Sequence, residues 1–339
     1  MYDIIILGGG PGGYVAAERA AAKNKSVLII EKDQLGGVCL NRGCIPTKSL
    51  LNSAKLYVHA LEGTRFGVTA EKVTYDLPTA MAWKREVLDK LRKGIAYTMK
   101  AMGITVVTGT GEILDKNTVL VKETGEKYEG RNLIIATGSS PAVLPVPGAD
   151  SEKVLDSSGI LELETLPQSL VIIGGGVIGL EFASYFHSLG VKVEVIEMME
   201  EIVPNMDRDL AQTLRRALKG INFHLKSKVS RIEGGTVFFT PVDSEGASGA
   251  KPSQEGAEQS VTGDLVLMAV GRKPNLTGYG LEKLNLDTNR QGIRVNERME
   301  TSLPGVYAVG DVNGLSLLAH SASRMGEVAV SSLCGERET

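Results

Sequence analysis

Cys39 and Cys44 stand in the segment GGVCLNRGCIPTKS as a C-x-x-x-x-C pair, and the chain holds only 3 cysteines in all. So few cannot build a disulfide scaffold. The spacing alone leaves three readings open: two buried apolar thiols, half of a zinc site, or a redox pair. A structural zinc needs four ligands. No second Cys or His cluster completes that set and Cys334 stands alone, so no metal is expected. Pro46 suits the first turn of a helix, which puts Cys44 near a helix N-terminus, where the positive end of the dipole favours a thiolate.

The elements that must position this pair are legible on either side of it. Residues 4–31 run IIILGGGPGGYVAAERAAAKNKSVLIIE and residues 172–197 run IIGGGVIGLEFASYFHSLGVKVEVIE. Each is an apolar strand, a glycine-rich turn, a helix and a second strand that ends in glutamate. Gly8 and Gly174 allow the tight turn, Gly10 and Gly176 let the backbone approach a pyrophosphate, and Gly13 and Gly179 let the helix pack on its strand. The phosphate then meets the unpaired N–H groups of the helix N-terminus. Glu31 and Glu197 follow at the same spacing, each placed to accept a hydrogen bond from a ribose hydroxyl. A negative side chain at Glu197 also repels a 2′-phosphate. Met198, Met199, Glu200 and Glu201 follow it without an arginine, so NAD is expected over NADP. The chain therefore reads as built for two dinucleotides, and beside them the cysteine pair points to a redox-active disulfide.

Composition bounds the rest. A length of 339 residues suggests two or three domains, and a net charge of −3 argues against a basic surface for nucleic acid. The 40 glycines cluster in motifs between apolar runs, which fits close backbone approach to cofactors rather than disorder. No apolar run is long enough to span a bilayer, and Met1, Tyr2 and Asp3 lead straight into a strand without the basic start of a signal peptide. A cytoplasmic location is expected, with no membrane and no nucleic-acid partner.

With these motifs in place, the chain resembles the disulfide-reductase flavoproteins, and among them most closely the dihydrolipoamide dehydrogenase family. The motifs match in order along nearly the whole length: Gly8 to Gly13, CLNRGCIPTK from Cys39 to Lys48, IIATGS from Ile134 to Ser139, Gly174 to Gly179, VGRKPN from Val270 to Asn275, YAVGDV from Tyr307 to Val312, and LAHSAS from Leu318 to Ser323. The resemblance implies an α/β fold of two Rossmann-like domains with FAD and NAD as cofactors. It also implies a relay of two electrons between a dithiol, the Cys39–Cys44 disulfide, the flavin and NAD. In that relay Cys39 exchanges with the substrate, and Cys44 lies against the flavin as a charge-transfer thiolate. Lys48 approaches the flavin and pairs with Glu181. The resemblance also implies that Asp311 holds the ribityl chain, with Gly111, Thr137, Gly138 and Ala319 around the flavin, and that Val229 and Gly271 line the NAD site. The implied partners are the lipoyl groups of carrier proteins in 2-oxoacid dehydrogenase or glycine cleavage complexes, served by a homodimer.

The motif order places an FAD domain at 1–147, an inserted NAD domain at 148–268, and the second part of the FAD domain at 269–339. Leu77 to Met102 reads as a long packing helix, with Ala80, Trp83, Val87, Leu88, Leu91, Ile95 and Met99 on its apolar side and Lys84, Arg85, Asp89, Lys90 and Lys93 between them. Residues 242–263 turn to Ser, Gly, Glu and Gln and read as a mobile hairpin tip. Family members continue into an interface domain that carries a glutamate-held histidine, the acid and base of dithiol exchange. None of His59, His187, His224 or His320 lies in a segment like it. The chain is therefore expected to be a truncated form, with weak or no lipoamide turnover and the usual dimer in doubt. Glutathione or mercuric reductases share the cysteine loop and are the enzyme alternatives, and a non-catalytic flavin-binding redox module is the alternative outside enzymes.

Overall fold

The computed structural model describes residues 1–242 and 256–336. In chain order the elements are β1 (Tyr2–Leu7), α1 (Pro11–Ala22), β2 (Val27–Glu31), α2 (Gly37–Arg42), α3 (Cys44–Glu62), α4 (Leu77–Ala101), β3 (Thr105–Thr108), β4 (Gly111–Asp115), β5 (Thr118–Val121), β6 (Lys127–Ile135), β7 (Ser139–Pro141) and β8 (Val154–Leu155). Next come β9 (Ser169–Ile173), α5 (Val177–Ser188), β10 (Lys192–Ile196), α6 (Arg208–Ala217), β11 (Asn222–His224), β12 (Ser227–Glu233), β13 (Thr236–Pro241) and β14 (Gln259–Thr262). The chain closes with β15 (Leu265–Met268), β16 (Arg272–Pro274), β17 (Thr288–Asn289), β18 (Gly292–Ile293), β19 (Val306–Ala308) and α7 (Ala319–Leu333). No helix among the described residues is long and apolar enough to cross a membrane.

The chain divides into two compact units: Met1–Ile45 with Val87–Ser140 and Arg272–Thr339, and Pro46–Glu86 with Pro141–Gly271. Each has a parallel sheet with the strand before the glycine turn at its centre. In the first unit β1 pairs in parallel with β2 and β6, β2 with β3, and β6 with β19. In the second, β9 pairs in parallel with β10 and β15, β10 with β11, and β15 with β8. Strand order reverses beside β1 and beside β9, the switch point outside whose carboxyl edge such sheets bind ligands. Strands buried on both faces read as continuous apolar runs. Ile4, Ile5, Ile6 and Leu7 of β1, and Leu170, Val171, Ile172 and Ile173 of β9, are all buried.

Additions to this plan stay local. In the first unit β4 and β5 form an antiparallel pair joined to the first half of β6. In the second, β12, β13 and β14 form an antiparallel meander. The proposed hairpin tip falls largely on residues 243–255, which lie outside the described residues.

Helix α4 ends one residue before its expected end, and its buried face matches the expected one only in part. Leu77, Ala80, Met81, Lys84, Leu88 and Met99 are buried, whereas Trp83 and Leu91 are 52% and 41% exposed. The stripe that packs is therefore one step round the helix from the stripe of largest apolar residues. Lys84 is completely buried because its ammonium has partners: Nζ donates to the carbonyl of Leu161 and to Glu162 Oε1, the latter at 3.0 Å. Lys84→Met keeps the apolar stem but leaves the Leu161 carbonyl unmet. We expect a loss of roughly 1–3 kcal/mol, read as a lower thermal midpoint; an unchanged midpoint would show that the ammonium is not needed there.

Candidate active site

The two glycine turns are the same structure twice. Gly8 and Gly174 have φ of 109° and 107°, and a Cβ on either would lie under 3.0 Å from a backbone oxygen, that of Ala136 or Ala269. Gly13 and Gly179 sit so close to the turn that a Cβ would overlap the Gly8 or Gly174 carbonyl oxygen. Gly10 and Gly176 are the N-caps of α1 and α5, with near-identical extended backbone and no side-chain cap. Nothing lies within 4 Å of a Cβ added at Gly176. Each helix thus opens without a side-chain cap, as a pyrophosphate site requires, and the space beside the cap is open at Gly176 whereas the Gly37 backbone borders Gly10.

The closing acids are bonded within the turns themselves. Glu31 Oε2 accepts from the Gly9 N–H at 2.6 Å and Oε1 from the Asp33 N–H at 2.8 Å. Glu197 repeats both bonds with Gly175 at 2.6 Å and Met199 at 2.8 Å. Each carboxylate pins the middle glycine of its turn and keeps lone pairs for a further donor. Even the following loops match: the Gly36 N–H donates to Gly9 O at 2.8 Å, and the Val203 N–H to Gly175 O at 2.9 Å.

In the first unit that loop leads directly to the cysteines. Gly36 and Gly37 both take positive φ, and Gly37 passes so near Gly10 that a Cβ would strike the Gly10 Cα. Helix α2 follows with Cys39, and α3 begins at Cys44, so the inferred helix N-terminus at Cys44 is present. Cys39 and Cys44 form a disulfide with Cα atoms 4.6 Å apart, and both residues are half-buried. Asn41, between them, donates through Nδ2 to the carbonyls of Leu35 and Gly37 at 3.1 and 2.9 Å and fixes the loop. Sequence reasoning missed this residue, although it stands inside the quoted motif.

Lys48 lies one turn beyond Cys44 on the same helix. Its Nζ meets Glu181 Oε1 at 2.5 Å, with Lys48 60% and Glu181 25% exposed. So open a pair adds at most about 1 kcal/mol to stability, and its interest lies in where it holds the ammonium.

Asp311 sits in a network. Its Oδ2 accepts from Ser139 Oγ at 2.5 Å, and Arg272 donates through Nε to the same hydroxyl and through Nη2 to the Ser139 carbonyl, both at 2.7 Å. Asn275 ties VGRKPN to IIATGS, donating through Nδ2 to Thr137 O at 2.8 Å and through its N–H to Gly138 O at 3.0 Å. Burial pushes the Tyr279 phenol up to about 12, so at neutral pH it remains the donor to Asn275 O at 3.0 Å. Ser139, Arg272 and Asn275 were in the motifs but not among the expected site residues; their roles come from pairing over more than a hundred residues. Ala319 opens α7. Gly111 opens β4, where a Cβ would collide with Leu7.

In the second unit Val229 is buried in β12 and Gly271 has φ of 113° with open space at its Cβ position. The segment after Glu197 is not clear of basic groups, as its sequence implied. Arg215 reaches Glu201 with Nε at 2.8 Å and Nη2 at 3.0 Å, Lys226 Nζ lies 3.1 Å from Glu200, and Arg208 Nη2 3.7 Å. These bonds from Arg215 hold the Glu201 carboxyl below its usual range, against a smaller effect of burial. On β10 and β11, His224 Nε2 pairs with Glu194 Oε2 at 2.9 Å. Burial opposes ionisation of Glu194, but hydrogen bonds from His224, Asn222 and Lys192 outweigh it. Among the described residues no group of His, Cys, Asp and Glu could hold a metal ion.

Comparison with known proteins fits this geometry. Residues 2–326 match the family described as pyridine nucleotide-disulphide oxidoreductase. A dihydrolipoyl dehydrogenase of Acholeplasma laidlawii is 43% identical over 97% of this chain and 95% of its own length. One from Bacillus subtilis is 40% identical over 98% of this chain and 72% of its own. Among solved structures, the HOCl-induced flavoprotein disulfide reductase RclA from Escherichia coli matches 100% of this chain and 72% of its own, with a TM-score of 0.83 at 28% identity. Two matching glycine turns, a disulfide on the loop that follows the first of them, and these likenesses together place the chain in the pyridine nucleotide-disulphide oxidoreductase family.

Proposed function

We propose that this chain is an FAD-dependent dihydrolipoamide dehydrogenase that passes two electrons from a dithiol through the Cys39–Cys44 disulfide to NAD. The observation that carries this reading is the disulfide on a loop anchored to the Gly8–Gly13 turn, repeated without cysteines at the Gly174–Gly179 turn. FAD is assigned to the first turn, with Glu31, Thr137, Gly138, Gly111, Asp311 and Ala319, and NAD to the second, with Glu197, Val229 and Gly271. The open helix N-termini and the Ser139–Arg272–Asp311 network fit those groups. Domains follow this assignment: 1–147 and 269–339 for the flavin, 148–268 for NAD. The lipoyl groups of carrier proteins are the proposed substrates, a homodimer the proposed assembly and the cytoplasm the proposed location.

The sulfur and electrons of the dithiol step balance on Cys39 and Cys44, and the substrate's two thiol protons pass to solvent. A substrate thiolate attacks Cys39 Sγ, the Cys39–Cys44 bond breaks, and Cys44 leaves as a thiolate at the N-terminus of α3. The second substrate thiol, deprotonated, attacks the substrate sulfur of the mixed disulfide; the product is a cyclic disulfide and Cys39 leaves with its electron pair. The substrate has been oxidised by two electrons and the cysteines reduced by two. When bound, FAD supplies the acceptor that returns the pair to the disulfide and passes the electrons to NAD. Lys48, held by Glu181, is assigned to that electron-transfer site.

The purified protein should be yellow and bleach anaerobically with NADH much faster than with NADPH, because the Glu197 carboxylate, assigned to the ribose hydroxyl, would repel a 2′-phosphate. Glu197→Arg should narrow the preference. Equal bleaching by both nucleotides in the unaltered protein would rule out the NAD assignment.

A further inference from the structure

In the disulfide form the Cys39–Cys44 bond ties α2 to the start of α3. Once that bond is reduced, α2 depends on its non-covalent contacts. It is a helix of 6 residues, too short to hold its shape alone. Leu40 is its buried residue, but an apolar contact is non-directional and does not fix how α2 turns about its axis. Arg42 pairs with Asp33, yet these side chains are 57% and 44% exposed, and such pairs hold little. Asn41 remains. Its Nδ2 donates to the carbonyls of Gly37 at 2.9 Å, Leu35 at 3.1 Å and Gln34 at 3.3 Å. The Gly36 N–H, in the same stretch, donates to Gly9 O at 2.8 Å, so the amide joins the cysteine helix to a segment anchored on the first glycine turn. Turned the other way, the amide would set its oxygen against three carbonyls. As placed, Oδ1 is buried and meets no donor among the described residues. An unmet buried acceptor is costly, so the side chain serves through its amino group.

We propose that Asn41 is a positioning residue, which keeps α2 in its disulfide geometry after the Cys39–Cys44 bond is broken, so that the dithiol stands ready to close again. This rests on the reading of Cys39 and Cys44 as the redox pair. A disulfide is favoured to the extent that its reduced form has little freedom to gain. By confining α2, the amide confines the dithiol and draws the exchange equilibrium towards the disulfide. Without the amide, the covalent bond still confines the oxidised loop while the dithiol is released. The equilibrium must then move towards the thiols.

Exchange of the flavin-loaded protein with dithiothreitol tests this without NAD. Two electrons and two protons leave the reagent, its ring disulfide forms, the Cys39–Cys44 bond breaks and two cysteine thiols appear, which alkylation after an acid quench counts. Asn41→Ala should move the equilibrium constant about tenfold towards the thiols, the scale of a hydrogen bond inside the protein. Arg42→Gln, which cuts only the exposed pair, should move it by less than about twofold. A shift below about twofold in Asn41→Ala, or equal shifts in both variants, refutes the clamp. Hydrogen exchange in the unaltered protein is a second test that needs no variant. The amides of residues 36–42 should be as well protected in the dithiol form as in the disulfide form, and a loss of protection of about tenfold on reduction refutes the proposal. A disulfide that dithiothreitol opens with these results but NADH leaves closed overturns the NAD-linked function while the clamp stands.

Discussion

Gly179→Ala should leave the protein yellow while cutting NADH-driven bleaching by about 10²-fold or more. The added Cβ would overlap the Gly174 carbonyl oxygen. Both partners are backbone, so no rotamer change can relieve the clash. Either α5 must back away from β9 or the turn must open, and overpacking of this kind costs about 1–3 kcal/mol. The larger effect falls on function, because a displacement of about 1 Å in a positioned group can cost on the order of 10² in rate. The turn of the first unit is built separately, so flavin content should survive. Gly13→Ala is the mirror experiment: its Cβ meets Gly8 O in the same way, and it should lose flavin while binding of ADP-ribose persists. Wild-type bleaching by Gly179→Ala would mean that the helix can yield without consequence, and the close-packing argument for the third glycine would fall for both turns.

That two such turns exist was legible in the sequence because the signal is local. Strand, glycines, helix, strand and acid occur within one short stretch, and the structure places each where the pattern puts it. Helix α3 starting at Cys44 was legible for the same reason, through Pro46. What could not be read depends on partners far along the chain. Trp83 and Leu91 are larger and more apolar than Lys84, so periodicity put them on the packed side of α4 with Ala80, Leu88 and Met99, which are buried, and left the lysine out; the lysine goes inside because Leu161 and Glu162 accept from its ammonium. The cations beside Glu200 were hidden likewise, since Arg208 and Lys226 reach it only once α6 and the turn after β11 are in place. The second task of Glu31 and Glu197, pinning the Gly9 and Gly175 N–H groups, exists only in the closed turn. Ser139, Arg272 and Asp311 were each inside a recognised motif, but nothing local says that they bond to one another.

Replacing either cysteine by serine should abolish NADH-driven reduction of the disulfide, and the two variants should differ in colour. In the oxidised protein Cys39 and Cys44 are joined, so anaerobic NADH should release one pair of titratable thiols, which neither variant can yield. Whatever dithiol–disulfide exchange the chain supports should be lost in both variants, since removing a nucleophile or its leaving group eliminates the covalent route. Dye reduction by NADH, which bypasses the cysteines, should persist. The asymmetry comes from helix α3. Cys44 is its first residue, where the dipole supports a thiolate, whereas Cys39 lies within the short α2. Cys39→Ser should therefore show a long-wavelength charge-transfer band from the remaining Cys44 thiolate, and Cys44→Ser should not. A band confined to Cys44→Ser would exchange the two roles and make Cys44 the residue that meets the substrate. Spectra without a band in either variant would separate the disulfide from the flavin altogether, leaving a flavoprotein whose cysteines exchange electrons by another path.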